Sequence, residues 1–87
     1  GNFTRLPKFE RVKMTNNDYA IHILTSFPNI GHKRAEEILR IHGNLQNVFS
    51  TLIYQHENFN VKGLTSEKTK QFHQILTETK GEEYEFK

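Results

Sequence analysis

The sequence predicts an all-α domain of about five short helices. Apolar residues recur every three or four positions in several segments, which is the spacing of one helix face. Proline or glycine interrupts the chain between these segments, at Pro28, Gly43 and Gly63. No segment alternates apolar and polar residues as a strand would. Because the chain has only 87 residues, we expect one domain.

The first helix is expected to begin close to Thr15. Thr15 and Asp18 have the spacing of a capping box, in which the side chain of each residue bonds to the backbone of the other. The apolar residues that follow at helical spacing are Ala20, Ile23, Leu24 and Phe27. Pro28 ends this helix, because proline disfavours the α conformation in the residue before it.

Two helices are expected on either side of Gly43. The first runs over about 32–42, and its apolar residues are Ala35, Ile38, Leu39 and Ile41. Gly43 ends it, because glycine readily takes the left-handed conformation of a C-terminal cap. Asn44 can cap the next helix, whose apolar residues are Leu45, Val48, Phe49, Leu52 and Ile53.

The second half of the chain predicts a short helix or an irregular turn over 54–60 and a final helix over about 66–79. The inward residues of that last helix are Thr69, Phe72, Ile75 and Leu76. We therefore expect a folded domain over 17–80. A basic extended linker over 1–16 precedes it, and an acidic tail over 81–87 follows it.

The composition excludes several kinds of site. The chain has no Cys, which rules out disulfides, thiolate zinc sites and a cysteine nucleophile. Its histidines never lie three or four residues apart within one helix, so no metal site and no cofactor are predicted. No apolar run approaches the roughly 20 residues that span a bilayer, so no membrane partner is expected. The net charge of +2 permits nucleic-acid binding without requiring it.

The acidic pair Glu36 and Glu37 is interpreted as helix surface charge. A magnesium-dependent nuclease needs a cluster of several acidic groups, and the sequence contains no such cluster with a basic partner. We therefore expect that this chain is not itself an enzyme. Gly1 stands where an initiating Met would be, so we expect the chain to be a domain of a larger protein.

An internal repeat carries the functional prediction. Residues 27–35 align with residues 61–69, and each copy places a turn before a helix that has a small residue one turn in. The first amides of such a helix have no intrahelical partner, and with the helix dipole they form a site suited to a phosphate oxygen. Lys33 and Arg34 in the first copy, and Lys68 in the second, would flank that phosphate. Two such turns predict contacts to a nucleic-acid backbone rather than to bases.

The residues of both copies resemble a known motif. Phe27 to Leu39, which read FPNIGHKRAEEIL, resemble the helix-hairpin-helix DNA-binding motif, and Val61 to Leu76 resemble a weaker example. With the Gly-Asn-Leu turn between them, the pair resembles the tandem helix-hairpin-helix domain at the C-terminus of XPF-family structure-specific endonucleases, especially the archaeal form. The C-terminal domain of the UvrC nuclease is the second choice. The resemblance covers about 17–79 and implies a fold of the SAM-like, RuvA C-terminal-like type.

The resemblance also implies which residues contact DNA. The first hairpin would be formed by Asn29, Ile30, Gly31, His32 and Lys33, with Arg34 beside it. The second would be formed by Gly63, Leu64, Thr65 and Ser66, with Lys62 and Lys68 beside it. Two positions depart from the motif, because Asn29 replaces the first glycine of the first hairpin and Thr65 replaces the second glycine of the second.

The expected function is that of a non-catalytic DNA-binding and dimerisation domain of a DNA repair endonuclease, of the kind used in nucleotide excision repair. Its expected partners are double-stranded or branched DNA and an identical or similar tandem domain. Its expected location is inside the cell with DNA, in the nucleus of a eukaryote or the cytoplasm of a prokaryote. Two alternatives remain open. The hairpins could serve only dimerisation or partner docking, or a hairpin lysine could be the Schiff-base nucleophile of a lyase, which would need a desolvated lysine.

Overall fold

The structure, a computed structural model, describes residues 13–81 of the chain. Its elements are α1 (Asn16–Thr25), α2 (His32–His42), α3 (Leu45–Tyr54), a 3-10 helix (His56–Asn58) and α4 (Ser66–Thr77). No strand occurs within residues 13–81, and the predicted all-α fold of about five short helices is confirmed. Most of the predicted linker, 1–12, and most of the predicted tail, 82–87, lie outside the described residues.

Side-chain caps fix the starts of α1 and α3. Thr15 and Asp18 form the predicted capping box, in which Thr15 N donates to Asp18 Oδ2 at 2.9 Å and Asp18 N donates to Thr15 Oγ1 at 3.1 Å. Asn44 caps α3 by accepting from Asn47 N at 2.8 Å. Each cap satisfies an amide that the helix itself leaves free. At the other end of α2, Gly43 has a φ of 94°, as a glycine that stops a helix requires.

Two helices end earlier than the sequence predicts. α1 stops at Thr25 rather than beside Pro28, because the amides of Ser26 and Phe27 bond to carbonyls three residues back, at 3.2 and 3.1 Å. The chain therefore tightens into a turn before it reaches proline. α4 stops at Thr77, two residues before the predicted end. The Thr77 hydroxyl bonds to the carbonyl one turn earlier at 2.8 Å, and such bonds compete with the helix ladder.

The core is built around Phe27, which lies just after α1. Its ring meets Phe72 of α4 edge-on, with centroids 5.6 Å apart and planes at 88°, and it approaches Phe49 of α3 at 6.2 Å. One side chain therefore joins the turn after α1 to two helices of the second half. The other buried apolar residues are Leu24, Ile30, Ala35, Ile38, Val48, Leu52, Phe59 and Val61.

Part of the apolar pattern faces outward. Ile23 and Ile41 belong to the predicted apolar faces of their helices, but they are 42% and 49% exposed. α1 packs mainly on α2, and α2 packs on α1 and α3. A short helix with so few neighbours buries only a narrow stripe, so the apolar spacing of α1 and α2 extends beyond the part of each helix that faces the core. Tyr54, the last residue of α3, is 80% exposed.

Replacing Phe27 tests this account of the core. Phe27→Ala should lower the free energy of unfolding by about 3–5 kcal/mol, because it removes a buried ring and leaves a cavity among three elements. Urea denaturation followed by circular dichroism measures the loss. Tyr54→Ala is the control, and its change should stay within about 0.5 kcal/mol because the ring is exposed. Equal losses in the two variants would contradict a core centred on Phe27.

Candidate nucleic-acid interface

The predicted repeat occurs in the backbone as two turns of the same form. We call residues 27–35 hairpin one and residues 61–69 hairpin two. Asn29 and Gly63 take the same place in the two turns and both have positive φ, 65° and 92°. In each turn the next amide donates to a carbonyl three residues back, at 3.3 Å in hairpin one and 3.0 Å in hairpin two. Asn29 therefore supplies the left-handed conformation that the motif usually takes from glycine.

The second departure from the motif also leaves the backbone unchanged. Gly31 and Thr65 are the N-terminal caps of α2 and α4, and both are extended, with φ of −90° and −80°. Any residue can adopt this conformation, so Thr65 introduces no strain. One turn further on, Ala35 and Thr69 are both buried, as small residues in equivalent packing positions.

The N-terminus of α2 is open. Gly31 offers no side chain as a cap, and the first turn of α2 contains no acidic residue. Among the described residues, the amides of His32, Lys33 and Arg34 have no acceptor. A Cβ built on Gly31 would meet nothing within 4 Å, so the position beside Gly31 at this end of the helix is open. Three free donors at the positive end of a helix dipole make a site for an anion.

The N-terminus of α4 is partly closed. The Thr65 hydroxyl accepts from Lys68 N at 3.2 Å, which removes one of the free amides. Glu67 adds a negative charge in the first turn of α4, where it opposes the approach of an anion. The two turns therefore share a backbone shape but differ in the free amides and in the charge that a phosphate would meet.

One groove runs between the two hairpins. It has a volume of about 820 Å³ and is lined by Gly31, His32, Lys33, Arg34, Glu37, Val61, Lys62 and Gly63. The structure thus brings together the open end of α2 and the turn of hairpin two. Leu64 and Ser66 instead line a separate depression beside His56 and Glu57. The predicted DNA-contact residues are therefore divided between two surfaces.

The predicted apolar residues of the two turns point inward. Ile30 is buried and Leu64 is half-buried against the core, so only their backbones could touch a ligand. Lys33 and Lys62 are exposed, and Lys68 is half-buried. Because Lys33 and Lys62 are exposed, neither has the desolvated surroundings that a Schiff-base lysine needs.

Arg34 makes the contact between the hairpins that the sequence did not predict. Its Nη1 donates to the carbonyl oxygen of Asn29 at 2.8 Å. A Cβ built on Gly63 would lie only 3.1 Å from Arg34 Cζ and closer still to Nη2. The guanidinium therefore fills the space that a side chain at position 63 would occupy. The sequence gives no direct sign of the contact between Arg34 and Gly63. The positive φ of the turn already accounts for a glycine at position 63.

Acidic residues close to the groove have basic neighbours on the same helix. Glu37, which lines the groove, accepts from Arg40 Nη2 at 2.6 Å. Glu36 lies 3.8 Å from His32 Nδ1. All four side chains are largely exposed, so these pairs contribute little to stability. They do offset negative charge beside the open end of α2.

Three histidines make contacts that sequence spacing does not reveal. His42 stacks on Phe59, with ring centroids 4.9 Å apart and planes at 7°, and its Nε2 has no hydrogen-bond partner among the described residues. Desolvation by burial lowers the pKa of His42 below its ordinary value of 6.5. His73 Nδ1 donates to the carbonyl of Leu52 at 2.8 Å, and its ring lies 4.5 Å from that of His56. Within residues 13–81, no three His, Asp or Glu residues are grouped as metal ligands.

No protein-family model matches the chain, and no curated protein or solved structure matches it significantly. The interpretation of the groove therefore depends on its geometry and on the sequence motif. Within residues 13–81, no helix is long and apolar enough to cross a membrane.

The two hairpin glycines should respond differently to alanine. Gly63→Ala should lower the free energy of unfolding by about 1–2 kcal/mol from left-handed strain, and displacement of Arg34 adds to the loss. Gly31→Ala should stay within about 0.5 kcal/mol, because its backbone is extended and the space around it is empty. Thermal and urea denaturation of both variants measure the difference. A larger loss for Gly31→Ala would contradict the geometry of the turns.

His42 should make the stability depend on pH. Its folded-state pKa is lowered, so the unfolded chain binds more protons near pH 6 and stability is lost as pH falls below about 6.5. The contribution is fully present above that pH. His42→Phe keeps the stack on Phe59 and should flatten the profile between pH 7.5 and 5.5, measured by urea denaturation at each pH. The exposed His22, changed to Gln, is the control, and an equal flattening in His22→Gln would rule out this role of His42.

Proposed function

We propose that this chain is a non-catalytic DNA-binding domain of the tandem helix-hairpin-helix type, belonging to a structure-specific DNA repair endonuclease similar to XPF. The domain docks the larger protein on duplex DNA, or on a junction between single- and double-stranded DNA, wherever the cell keeps its DNA. Its binding uses backbone amides and basic side chains and needs no cofactor.

The observation that carries this proposal is the open N-terminus of α2 at the edge of the groove. The amides of His32, Lys33 and Arg34 are free and lie at the positive end of the α2 dipole. Their residues line the groove, and the Cβ position of Gly31 beside them is open. A phosphate oxygen fits such a site because it accepts several hydrogen bonds at once and carries negative charge.

Basic side chains at the same groove extend the contact from one phosphate to several. Lys33 and Arg34 lie on one wall, and Lys62 lies on the other. Their attraction to phosphates is screened by salt and carries no sequence information. The combination therefore supports binding to the DNA backbone rather than to particular bases.

The two hairpins contribute unequally in this proposal. Hairpin one supplies the main phosphate site, since its amides are free. Hairpin two supplies Lys62, while the Thr65 cap and Glu67 reduce what the end of α4 can bind. The groove then holds two neighbouring stretches of backbone, one on each wall.

Binding of labelled DNA across a range of salt concentrations tests the proposal. Fluorescence anisotropy is measured with a short duplex and with the same duplex bearing a single-stranded arm. The association constant should fall steeply with salt, with a log–log slope of about −2 to −4 for a few neutralised phosphates. Gly31→Val should weaken binding roughly tenfold while leaving the melting temperature nearly unchanged, because the side chain enters the space that the phosphate needs.

A charge-matched pair of variants controls for general electrostatics. Lys33→Gln should reduce the magnitude of the salt slope by about one unit. Lys80→Gln removes the same charge beyond the far end of α4, a helix of 12 residues that is about 18 Å long, and should leave the slope unchanged. Equal effects of the two variants, or no saturable binding at low salt, would reject a DNA site in the groove.

A second candidate function is dimerisation or partner docking without DNA binding. Large apolar side chains that are exposed on three helices favour it: Tyr19 and Ile23 on α1, Ile41 on α2 and Tyr54 on α3. Sedimentation velocity at several protein concentrations detects a dimer. A dimer that fails to bind either DNA in the anisotropy experiment would select this function over the first.

A further inference from the structure

Arg34 has a role in the structure that its place in the motif does not predict. The motif places it beside hairpin one, free to reach a phosphate. In the structure its side chain is half-buried, and its guanidinium folds back to donate from Nη1 to the Asn29 carbonyl. The group is therefore held by the turn of its own hairpin.

The same guanidinium rests against hairpin two. A Cβ on Gly63 would lie 3.1 Å from Arg34 Cζ, 3.5 Å from Nε and closest to Nη2, so the Nη2 end of the guanidinium occupies the place of that Cβ. Only a residue without a side chain can accept this contact. Arg34 thus touches the positive-φ residue of each turn, Asn29 on one side and Gly63 on the other.

The two hairpins meet both in the core and at the surface. In the core, Ile30 of hairpin one and Val61 of hairpin two belong to one buried apolar cluster. α2 packs mainly on α1 and α3, whereas α4 packs mainly on α3 and on the 3-10 helix. At the surface, Arg34 of α2 lies against Gly63, just before α4 begins. This surface contact adds to the core contacts in restraining α2 relative to α4.

We propose that Arg34 is a positioning residue, a strut between the two turns that sets their separation across the groove. Its consequence for DNA rests on the proposed function, because a fixed separation matches the spacing of two stretches of phosphate backbone. Arginine suits this role because its forked group can donate from Nη1 to Asn29 while Nη2 lies against Gly63. A lysine at this position keeps the charge but has only a point-like ammonium on a flexible stem.

The test exchanges arginine and lysine, so that the net charge never changes. Arg34→Lys removes the strut, and Lys80→Arg is the control at an exposed position beyond the end of α4, outside the groove. Residual dipolar couplings of backbone amides report the orientation of α2 relative to α4 in the full chain. Arg34→Lys should rotate the two helices relative to each other and shift the Gly63 amide resonance, whereas Lys80→Arg should do neither.

DNA binding by the same variants shows whether the separation matters. Arg34→Lys should bind duplex roughly tenfold more weakly with an unchanged salt slope, since preorganisation is lost while the charge is kept. Lys80→Arg should bind like the parent chain. A contact to phosphate through charge alone predicts instead that Arg34→Lys binds like the parent.

Each result of these experiments tests one part of the proposal. Couplings in Arg34→Lys that match the parent would overturn the strut, whatever happens with DNA. A rotated α4 with unchanged affinity would overturn the claim that the separation positions DNA. If the parent chain binds no DNA, the proposed function fails, and the couplings alone still decide whether Arg34 fixes the angle between the hairpins.

Discussion

The contact between Phe27 and Phe72 is the interaction on which the rest of the domain depends. Phe27 is followed directly by the turn of hairpin one, so the residue that anchors the core also fixes where that turn leaves it. An edge-on pair of buried rings is more favourable, by about 0.5–1.5 kcal/mol, than the burial of its area alone. The turn of hairpin one begins at this anchor, and the open end of α2 and Arg34 follow a few residues later in the chain.

The features that sequence reasoning predicted well are those decided by close neighbours in the chain. The capping box of Thr15 and Asp18, the cap by Asn44 and the stop at Gly43 each involve residues at most a few positions apart. The internal repeat belongs to the same class, because positive φ at Asn29 and Gly63 is a local property of each turn. Asparagine and glycine are the residues that tolerate it best, and the alignment of the two copies places them together.

The features that sequence reasoning missed depend on residues that are distant in the chain. A motif assigns Arg34 to a ligand because it records position and charge, but it contains no information about Gly63, which lies in the other copy. The stack of His42 on Phe59 is equally invisible to spacing. Ile23 and Ile41 are exposed because few elements pack on α1 and α2. Six of the predicted contact residues line the groove, whereas Leu64 and Ser66 line a separate depression.

The Thr65 cap has a consequence for symmetry. If the two hairpins were identical, a rotation would superpose one half of the domain on the other. Such a domain could bind an extended polymer with antiparallel strands equally well in either orientation. The hydroxyl bond to Lys68 N and the charge of Glu67 make the halves chemically unequal while keeping their shape. On the proposed function, this inequality would give the domain one preferred direction along DNA. Whatever is attached to it would then face one way without any reading of sequence.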